Sequence, residues 1–145
     1  MDEQAFRAAR RTLNPHPCPF EQALLAHCCD CSLAQRHDIG GRQTIACRSD
    51  EARGTCAALR TLLRRNSSFA LQVRPDEPVP QSKEIKSMCG GLKGLHDMLE
   101  DGEIIADVRA LVISAQREFG SLEALPFRDL MPFVAAFEPR RRRGS

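Results

Sequence analysis

Apolar side chains recur at helical spacing through much of the first half of the chain. Phe6, Ala9 and Leu13 would share one face of a helix, which Asn14 and Pro15 would end. Ser49, followed by two acidic residues, is a typical N-cap for a longer helix. The pattern therefore predicts helices over residues 2–13, from Phe20 to about His27, and from Ser49 to about Arg65.

Shorter stretches alternate as strands do. Gly40 and Gly41 break the chain, and residues 42–48 follow with β-branched Thr44 and Ile45. Phe69, Leu71 and Val73 alternate in the manner of a half-buried strand. A third short strand is predicted around 83–88, while Ser32 and Gln35 suggest a capped helical turn before the glycines.

The second half of the chain carries the clearest helical pattern. Cys89-Gly90-Gly91-Leu92 leads into a helix that runs through Leu99. A helix is predicted over Glu103–Phe119, with Gly120 as its C-terminal stop and a buried stripe of Ile104, Val108, Leu111, Val112 and Ala115. Leu130, Val134 and Phe137 mark a last helix, which Pro139 ends.

These elements predict an α+β fold: a helix-rich single domain with a small two- or three-stranded sheet and a cysteine-rich metal site. A chain of 145 residues suits one core, so the predicted domain covers residues 1–139. The proline-rich segment 75–81 separates a cysteine-rich half, about 14–74, from a helical half, about 82–139. Residues 140–145 form a basic tail.

Composition narrows the class of protein. The net charge of +2 is too even to indicate a nucleic-acid or membrane partner. The N-terminus lacks the apolar core of a secretory signal, and no stretch is long enough to span a membrane, so a cytoplasmic location is predicted. In a reducing compartment, seven clustered cysteines indicate metal binding or catalysis rather than disulfides.

Six of those cysteines lie between Cys18 and Cys56. Cys28 and Cys31 form a CxxC pair that can bring two sulfurs onto one ion, and Cys47 and Cys56 complete a set of four. Four thiolates suit either tetrahedral zinc or a four-iron cluster. The spacing matches neither a zinc ribbon nor the common ferredoxin patterns.

Two further cysteines favour a cluster. Cys18 lies between prolines in a stiff loop, and Cys89 precedes two glycines at a predicted helix N-terminus, where a thiolate is stabilised. If both converge with the other four, there are more sulfurs than one zinc ion can use. Nearby arginines would suit an anionic cluster, and glycine N–H groups could approach its sulfides: Arg36, Arg42, Arg48, Arg53, Gly40, Gly41, Gly90 and Gly91.

Other interpretations stay open. A zinc-stabilised interaction module would use Cys28, Cys31, Cys47 and Cys56, with His16, His27 or His37 able to replace a thiolate. A cysteine nucleophile would need a base such as His27, His37 or His96, but no spacing identifies a triad, so no catalytic residue is assigned. A protein partner is expected, and Arg140, Arg141, Arg142 and Arg143 could contact nucleic acid.

The segments CPFEQALLAHCCDCSLAQRH, IACRSDEARGTCAALRTLLRR, MCGGLKGL and REFGSLEALPF resemble a family of small, cysteine-rich proteobacterial proteins of uncharacterised activity. The resemblance covers most of the chain. It implies a bacterial cytoplasmic protein with a four-iron cluster, and the cysteines it carries over are Cys18, Cys28, Cys31, Cys47, Cys56 and Cys89. The doubled Cys28-Cys29 departs from the pattern and leaves open which of the two is the ligand. The expected role is electron transfer or redox and gas sensing.

Overall fold

The computed structural model describes residues 2–74, 76–100, 102 and 104–139. Over these residues the α-helices are α1 (Glu3–Leu13), α2 (Glu21–Leu25), α3 (Asp50–Ser67), α4 (Gln81–Ile85), α5 (Gly91–Leu99), α6 (Val108–Phe119) and α7 (Phe127–Ala136). A π-helical turn, Lys86–Gly90, joins α4 to α5. The strands β1 (Ala34–Ile39) and β2 (Arg42–Cys47) form one antiparallel hairpin. The predicted α+β, helix-rich fold with a small sheet is confirmed.

The first helix forms as predicted. Asp2 is its N-cap and accepts a hydrogen bond from the Ala5 N–H at 2.6 Å, which satisfies one of the free N–H groups of the first turn. The helix ends at Asn14, a buried residue whose side-chain amide donates to the Ile45 carbonyl at 3.1 Å. Asn14 therefore attaches α1 to the hairpin.

The hairpin turns at Gly40 and Gly41, with φ of 59° and 85°. Positive φ at both central residues is the requirement of a type I′ turn, whose twist matches that of the flanking strands. The strand predicted over 42–48 is confirmed as β2. The helical turn predicted after Ser32 is wrong, because residues from Ala34 pair with β2 across a turn that the two glycines permit.

The extended segment before α2 runs along the other side of β2. Pro17 forms a bridge with Ala46, the Cys18 N–H donates to the Ile45 carbonyl, and the Cys47 N–H donates to the His16 carbonyl. The prolines keep this segment extended, as predicted. It therefore occupies the free edge of β2 as a short third strand would.

Helix α3 begins at the predicted cap, where Ser49 accepts from the Ala52 N–H at 3.1 Å. Its buried face carries Cys56, Leu59 and Leu63 as expected. The strand predicted at Phe69–Val73 is wrong: the chain leaves α3 in tight turns, with Leu71 N–H bonded to the Ser67 carbonyl, and Phe69 is 95% exposed. Local turns supply the backbone partners that a strand would have needed.

The strand predicted around 83–88 is also wrong, because α4, the π-helical turn and α5 form a continuous helical run. Three glycines let this run approach its neighbours closely: Gly90, Gly91 and Gly94. A Cβ on Gly90 would lie 2.5 Å from the Val134 Cα in α7, and one on Gly91 would lie 2.6 Å from a Leu63 methyl in α3. Cys89 consequently lies inside a helical run. The prediction that it lies at a helix N-terminus is wrong.

Helix α6 starts later than predicted. Asp107 is its N-cap, and Ile104, expected in the buried stripe, is 80% exposed. The remaining stripe of Val108, Leu111, Val112 and Ala115 is buried, and Gly120 ends the helix with φ of 89°, both as predicted. Leu130 and Val134 of α7 are buried as well.

One hydrophobic core draws side chains from both halves of the chain, including Phe20, Ile45 and Leu59 from the first and Leu95, Leu111 and Leu130 from the second. Helices α5 and α7 and the π-helical turn pack together at its centre. No helix in the described residues is both long and apolar enough to cross a membrane. The predicted nucleic-acid contact through Arg140–Arg143 lies outside the described residues.

Candidate metal centre

Four cysteines from four separate segments approach one another at the end of the hairpin. Cys18 lies in the proline-bounded segment, Cys31 in the loop before β1, Cys47 at the end of β2, and Cys56 in the second turn of α3. We call these the four-thiol group. Cys56 is buried and the other three are partly exposed.

Hydrogen bonds along β2 bring three of these cysteines together. The bonds on one side of β2, Cys18 N–H to Ile45 O and Cys47 N–H to His16 O, are both 2.9 Å long. On its other side, Ala34 pairs with Cys47, and the Ala34 N–H donates to the Cys31 carbonyl at 3.2 Å. The strand therefore places Cys18 and Cys31 on its opposite flanks.

Helix α3 supplies the fourth thiol. It begins three residues after β2 ends, so its first turns remain beside Cys47, whose thiol donates to the Ser49 carbonyl at 3.3 Å. Cys56 follows Ala52 by one helical turn on the buried face. The cap at Ser49 thus sets the direction in which Cys56 points.

The thiols are close enough to influence one another's ionisation. Burial first, and then the neighbouring Cys31 and Cys47, raise the pKa of Cys18 to about 11. Burial, followed by Cys18, Cys31 and Cys47, raises the pKa of Cys56 to about 12. Burial also raises the pKa of Cys31. In the absence of a cation, the thiols of Cys18, Cys31 and Cys56 are therefore held protonated at neutral pH.

Cys29 lies beside the four-thiol group. Burial, followed by Cys18 and Cys31, raises the pKa of Cys29 to about 12. Cys47 and Cys56 are not among the groups that shift it. Its backbone forms a parallel bridge with Ile105, which fixes the loop against the segment before α6. Cys29 is therefore a flanking thiol, close to two members of the group.

Backbone N–H groups point at two of the sulfurs. The Phe20 N–H bonds the Cys18 sulfur and lowers its pKa, which burial raises. The N–H groups of Leu33 and Arg109 do the same for Cys31. Such donors stabilise a thiolate more than a thiol, so they suit ligands that lose their protons on metal binding.

Asp107 and Arg109, at the start of α6, belong to the site, and sequence reasoning missed both. Asp107 accepts from the Ser32 N–H at 2.9 Å, the Ser32 hydroxyl at 3.1 Å, and the Cys31 thiol. Burial raises the pKa of Asp107, but these hydrogen bonds outweigh it and lower the pKa overall. Arg109 lowers the pKa of Cys56. An Asp at position 107 could have been recognised as the N-cap of α6. It was missed because the helix was predicted to begin earlier, at Glu103.

The other two predicted ligands lie elsewhere. Cys28 and Cys89 are joined in a disulfide with their Cα atoms 6.0 Å apart, so the structure separates the CxxC pair of Cys28 and Cys31. The prediction that the cysteines serve metal binding or catalysis rather than disulfides is therefore wrong for these two. The predicted glycine contacts at Gly90 and Gly91 are instead packing contacts with α7 and α3. Of the six predicted ligands, Cys18, Cys31, Cys47 and Cys56 lie close enough to affect one another's pKa values.

Several of the predicted histidines and arginines have partners outside the four-thiol group. His16 lies 3.9 Å from Asp50, and His96 is buried with its Nε2 atom 3.1 Å from the Gly102 carbonyl. His37 is on β1 and His27 is exposed. Arg36 pairs with Asp30 at 3.9 Å, Arg42 with Glu3 at 2.7 Å, and Arg53 with Asp50 at 3.2 Å.

A groove of about 490 Å³ reaches the four-thiol group from solvent beside Cys18. Arg10, Arg53, Arg60 and Arg64 line it. Three of these arginines also pair with buried carboxylates, Arg10 with Glu21 and Arg60 and Arg64 with Glu84. The approach to Cys18 therefore passes between guanidinium groups.

The donor set fits a metal that prefers sulfur, since four thiols with N–H donors match the ligands of structural zinc and of iron–sulfur clusters. In the part of the chain that the structure describes, no three His, Cys, Asp or Glu side chains already form a metal-binding group. Binding therefore requires the thiols to turn toward a common point. No protein-family model, curated protein or solved structure matches this chain.

Proposed function

We propose that this protein binds an iron–sulfur cluster of the 4Fe-4S type through Cys18, Cys31, Cys47 and Cys56, and acts in electron transfer or in redox and gas sensing. The observation that carries the proposal is the electrostatic coupling of these four thiols, which come from four segments. Under this proposal the protein works in the bacterial cytoplasm, where the thiols of the four-thiol group remain reduced.

Charge supports a cationic ligand at this point. Burial and mutual repulsion oppose the ionisation of neighbouring thiols, so four thiolates would be unstable alone. Metal cations remove that repulsion and displace the protons. The N–H groups of Phe20, Leu33 and Arg109 would then hold the sulfurs in their charged form.

The choice of cluster over zinc follows from the charge beside the thiols, because the lack of a close ligand pair departs equally from zinc and ferredoxin spacings. Structural zinc sites commonly contain ligand pairs two to four residues apart. The four-thiol group has no such pair, because Cys28 is bonded to Cys89 and not available beside Cys31. Arg109, close to Cys56, adds a positive charge that would offset the negative charge of a cluster.

A bound cluster would supply one-electron chemistry, with a potential set by charge, hydrogen bonding and exposure. The chain contributes the environment of that chemistry. Cys56 is buried, whereas Cys18 faces the arginine-lined groove. An electron partner or a small oxidant would therefore approach from the Cys18 side.

Zinc remains the second candidate, because four thiols are the number that a closed structural site uses. In that case the metal would stabilise the junction of hairpin and α3, and the helical half would serve as an interaction module. The surplus of sulfurs that favoured a cluster is reduced, since Cys28 and Cys89 are paired with each other.

The first test is anaerobic purification followed by visible absorption and elemental analysis for iron, sulfide and zinc. We expect brown protein with iron and acid-labile sulfide. The near-ultraviolet part of the spectrum will carry little protein background, because the chain contains no Trp or Tyr. Colourless protein with one zinc ion per chain would support the second candidate, and folded protein with no metal would reject both.

The second test compares single Cys→Ser variants. Replacing Cys18, Cys31, Cys47 or Cys56 should abolish or strongly reduce the iron content. Cys29→Ser is the matched control, because Cys29 is buried in the same loop yet stays outside the four-thiol group. Equal loss of iron in Cys29→Ser, or full retention in Cys18→Ser, would contradict this ligand set.

A further inference from the structure

A second cleft is lined by none of the four cysteines of the proposed metal centre. It has a volume of about 410 Å³, within the range of small-molecule sites. The disulfide sulfurs border it, together with His27, Lys93, Phe137 and Glu138. Lys93 and Glu138 place opposite charges on its walls.

The two sulfurs are unequally accessible. Cys28 is partly exposed, whereas Cys89 in the π-helical turn is only 1% exposed. A nucleophile entering the cleft therefore meets the Cys28 sulfur first. Thiol–disulfide exchange requires this kind of access to one sulfur and a leaving group on the other.

The surroundings suit that exchange. Lys93 lines the same cleft as Cys89, so its positive charge would favour a departing Cys89 thiolate. His27, directly before Cys28, has a left-handed backbone with φ of 62°, which is unfavourable for a residue with a Cβ. Strained backbone and π-helical turns are both concentrated at functional sites.

We propose that the Cys28–Cys89 disulfide is a reversible redox pair, opened by a small zwitterionic thiol that enters this cleft and attacks Cys28. A thiol bearing both carboxylate and ammonium groups matches the opposite charges of Lys93 and Glu138. This inference goes beyond the proposed metal centre and does not depend on it.

The exchange is balanced in two steps. The incoming thiolate bonds to the Cys28 sulfur as the Cys28–Cys89 bond breaks, and Cys89 keeps the electron pair and takes up a proton. A second small thiolate then attacks the outer sulfur of the mixed disulfide, which releases Cys28 as a thiol. Two small thiols are oxidised to one disulfide, and the protein disulfide gains two electrons and two protons.

The decisive experiment uses the full chain and two single variants, each incubated with oxidised glutathione and examined by intact mass and peptide mapping. In Cys89→Ser, the freed Cys28 should form a mixed disulfide. In Cys28→Ser, the buried Cys89 should react at least about tenfold more slowly, since reactivity follows exposure. Equal modification of Cys28 and Cys89 would overturn the proposed direction of attack.

Should either variant fail to fold, the unsubstituted chain still tests the proposal. Reduced glutathione should open its disulfide through a transient adduct on Cys28, and Lys93→Gln should slow the opening by roughly three- to tenfold. Lys83→Gln, outside the cleft, is the matched control. No opening, or equal slowing in both variants, would reject the proposal. Iron and sulfide content, measured alongside, reports on the metal centre separately.

Discussion

At the scale of single residues, the raised thiol pKa values make the metal-free protein sensitive to alkali. Cys18 and Cys56 have pKa values of about 11 and 12, against an ordinary value of 9.0 that the unfolded chain regains. Between these values the folded state binds more protons than the unfolded state, so its stability falls as the pH rises. Below pH 9 these thiols are protonated in both the folded and the unfolded state, so they no longer make the stability depend on pH.

We therefore expect the free energy of unfolding of metal-free protein to decrease from about pH 9 to pH 11. Urea denaturation at a series of pH values measures this. The double variant Cys18→Ser/Cys56→Ser should show a flatter profile, and tyrosine ionisation cannot interfere because the chain contains none. An equally steep decline in that variant would show that other groups cause it.

The glycines of the helical run give a second prediction at this scale. Gly90→Ala should destabilise the protein by about 3 kcal/mol or more, because the new Cβ would meet the backbone of Val134 at 2.5 Å. Gly54→Ala is the matched control within an exposed part of α3, where a Cβ meets nothing within 4 Å. It should stabilise by about 0.5–1 kcal/mol. Thermal denaturation of both variants would decide, and similar values would contradict the packing argument.

At the scale of elements, the hairpin turn depends on backbone conformation alone. Gly41 has φ of 85° and open space around its Cα, so Gly41→Ala should cost about 1–2 kcal/mol through backbone strain. Gly40→Asn should be nearly neutral, since Asn-Gly is a preferred type I′ pair. Because the hairpin positions Cys31 and Cys47, the first variant should also bind less iron.

Measurements of unfolding free energy and iron content on both variants test this. Equal stability of Gly41→Ala and the parent chain would show that the turn adopts another conformation. Loss of iron in Gly40→Asn, with stability unchanged, would show that the turn affects the centre by a route other than hairpin stability.

Elements with strong local signals could be predicted from the sequence. Helix α1 and its Asn-Pro end, β2 after the glycines, the Ser49 cap and the Gly120 stop all depend on residues close together in the chain. β1 is polar and forms because β2 offers it a partner. The helical run over 81–99 depends on close contacts between Gly90 and α7, which no local pattern reveals.

The sequence predicted which residue type forms the candidate site, but not which of the cysteines belong to it. Clustering of cysteines indicated a metal centre, which stays a prediction, and the stiff loop drew attention to Cys18. Cys28 lies outside the four-thiol group because Cys89, 61 residues further along the chain, lies opposite it and forms a disulfide with it. Asp107 and Arg109 join the site from more than 70 residues away, as the Ser32–Asp107 contact shows.

At the scale of the whole molecule, the disulfide closes a loop between positions 61 residues apart and links the cysteine-rich half to the helical half. By the loop-entropy relation it should stabilise the fold by about 4 kcal/mol. Reduction with dithiothreitol should lower the Tm by roughly 10 °C for a chain of this length. Calorimetry with and without reductant measures the shift.

The double variant Cys28→Ser/Cys89→Ser serves as the control for that measurement. Its Tm should be low at the outset and unaffected by dithiothreitol. A reductant-dependent shift of equal size in the double variant would assign the effect to the four-thiol group and not to the disulfide.

The order of the cysteines along the chain also determines which of them are synthesised before Cys89, the disulfide partner of Cys28. All members of the four-thiol group precede Cys89, which follows Cys56 by 33 residues. At translation rates of about 5–20 residues per second, this interval lasts roughly 2–7 s. During it Cys28 has no partner and stands three residues from Cys31. A cofactor inserted while the chain is still on the ribosome would thus have access to the Cys28 thiol as a fifth sulfur. In the folded protein the disulfide with Cys89 makes that sulfur unavailable.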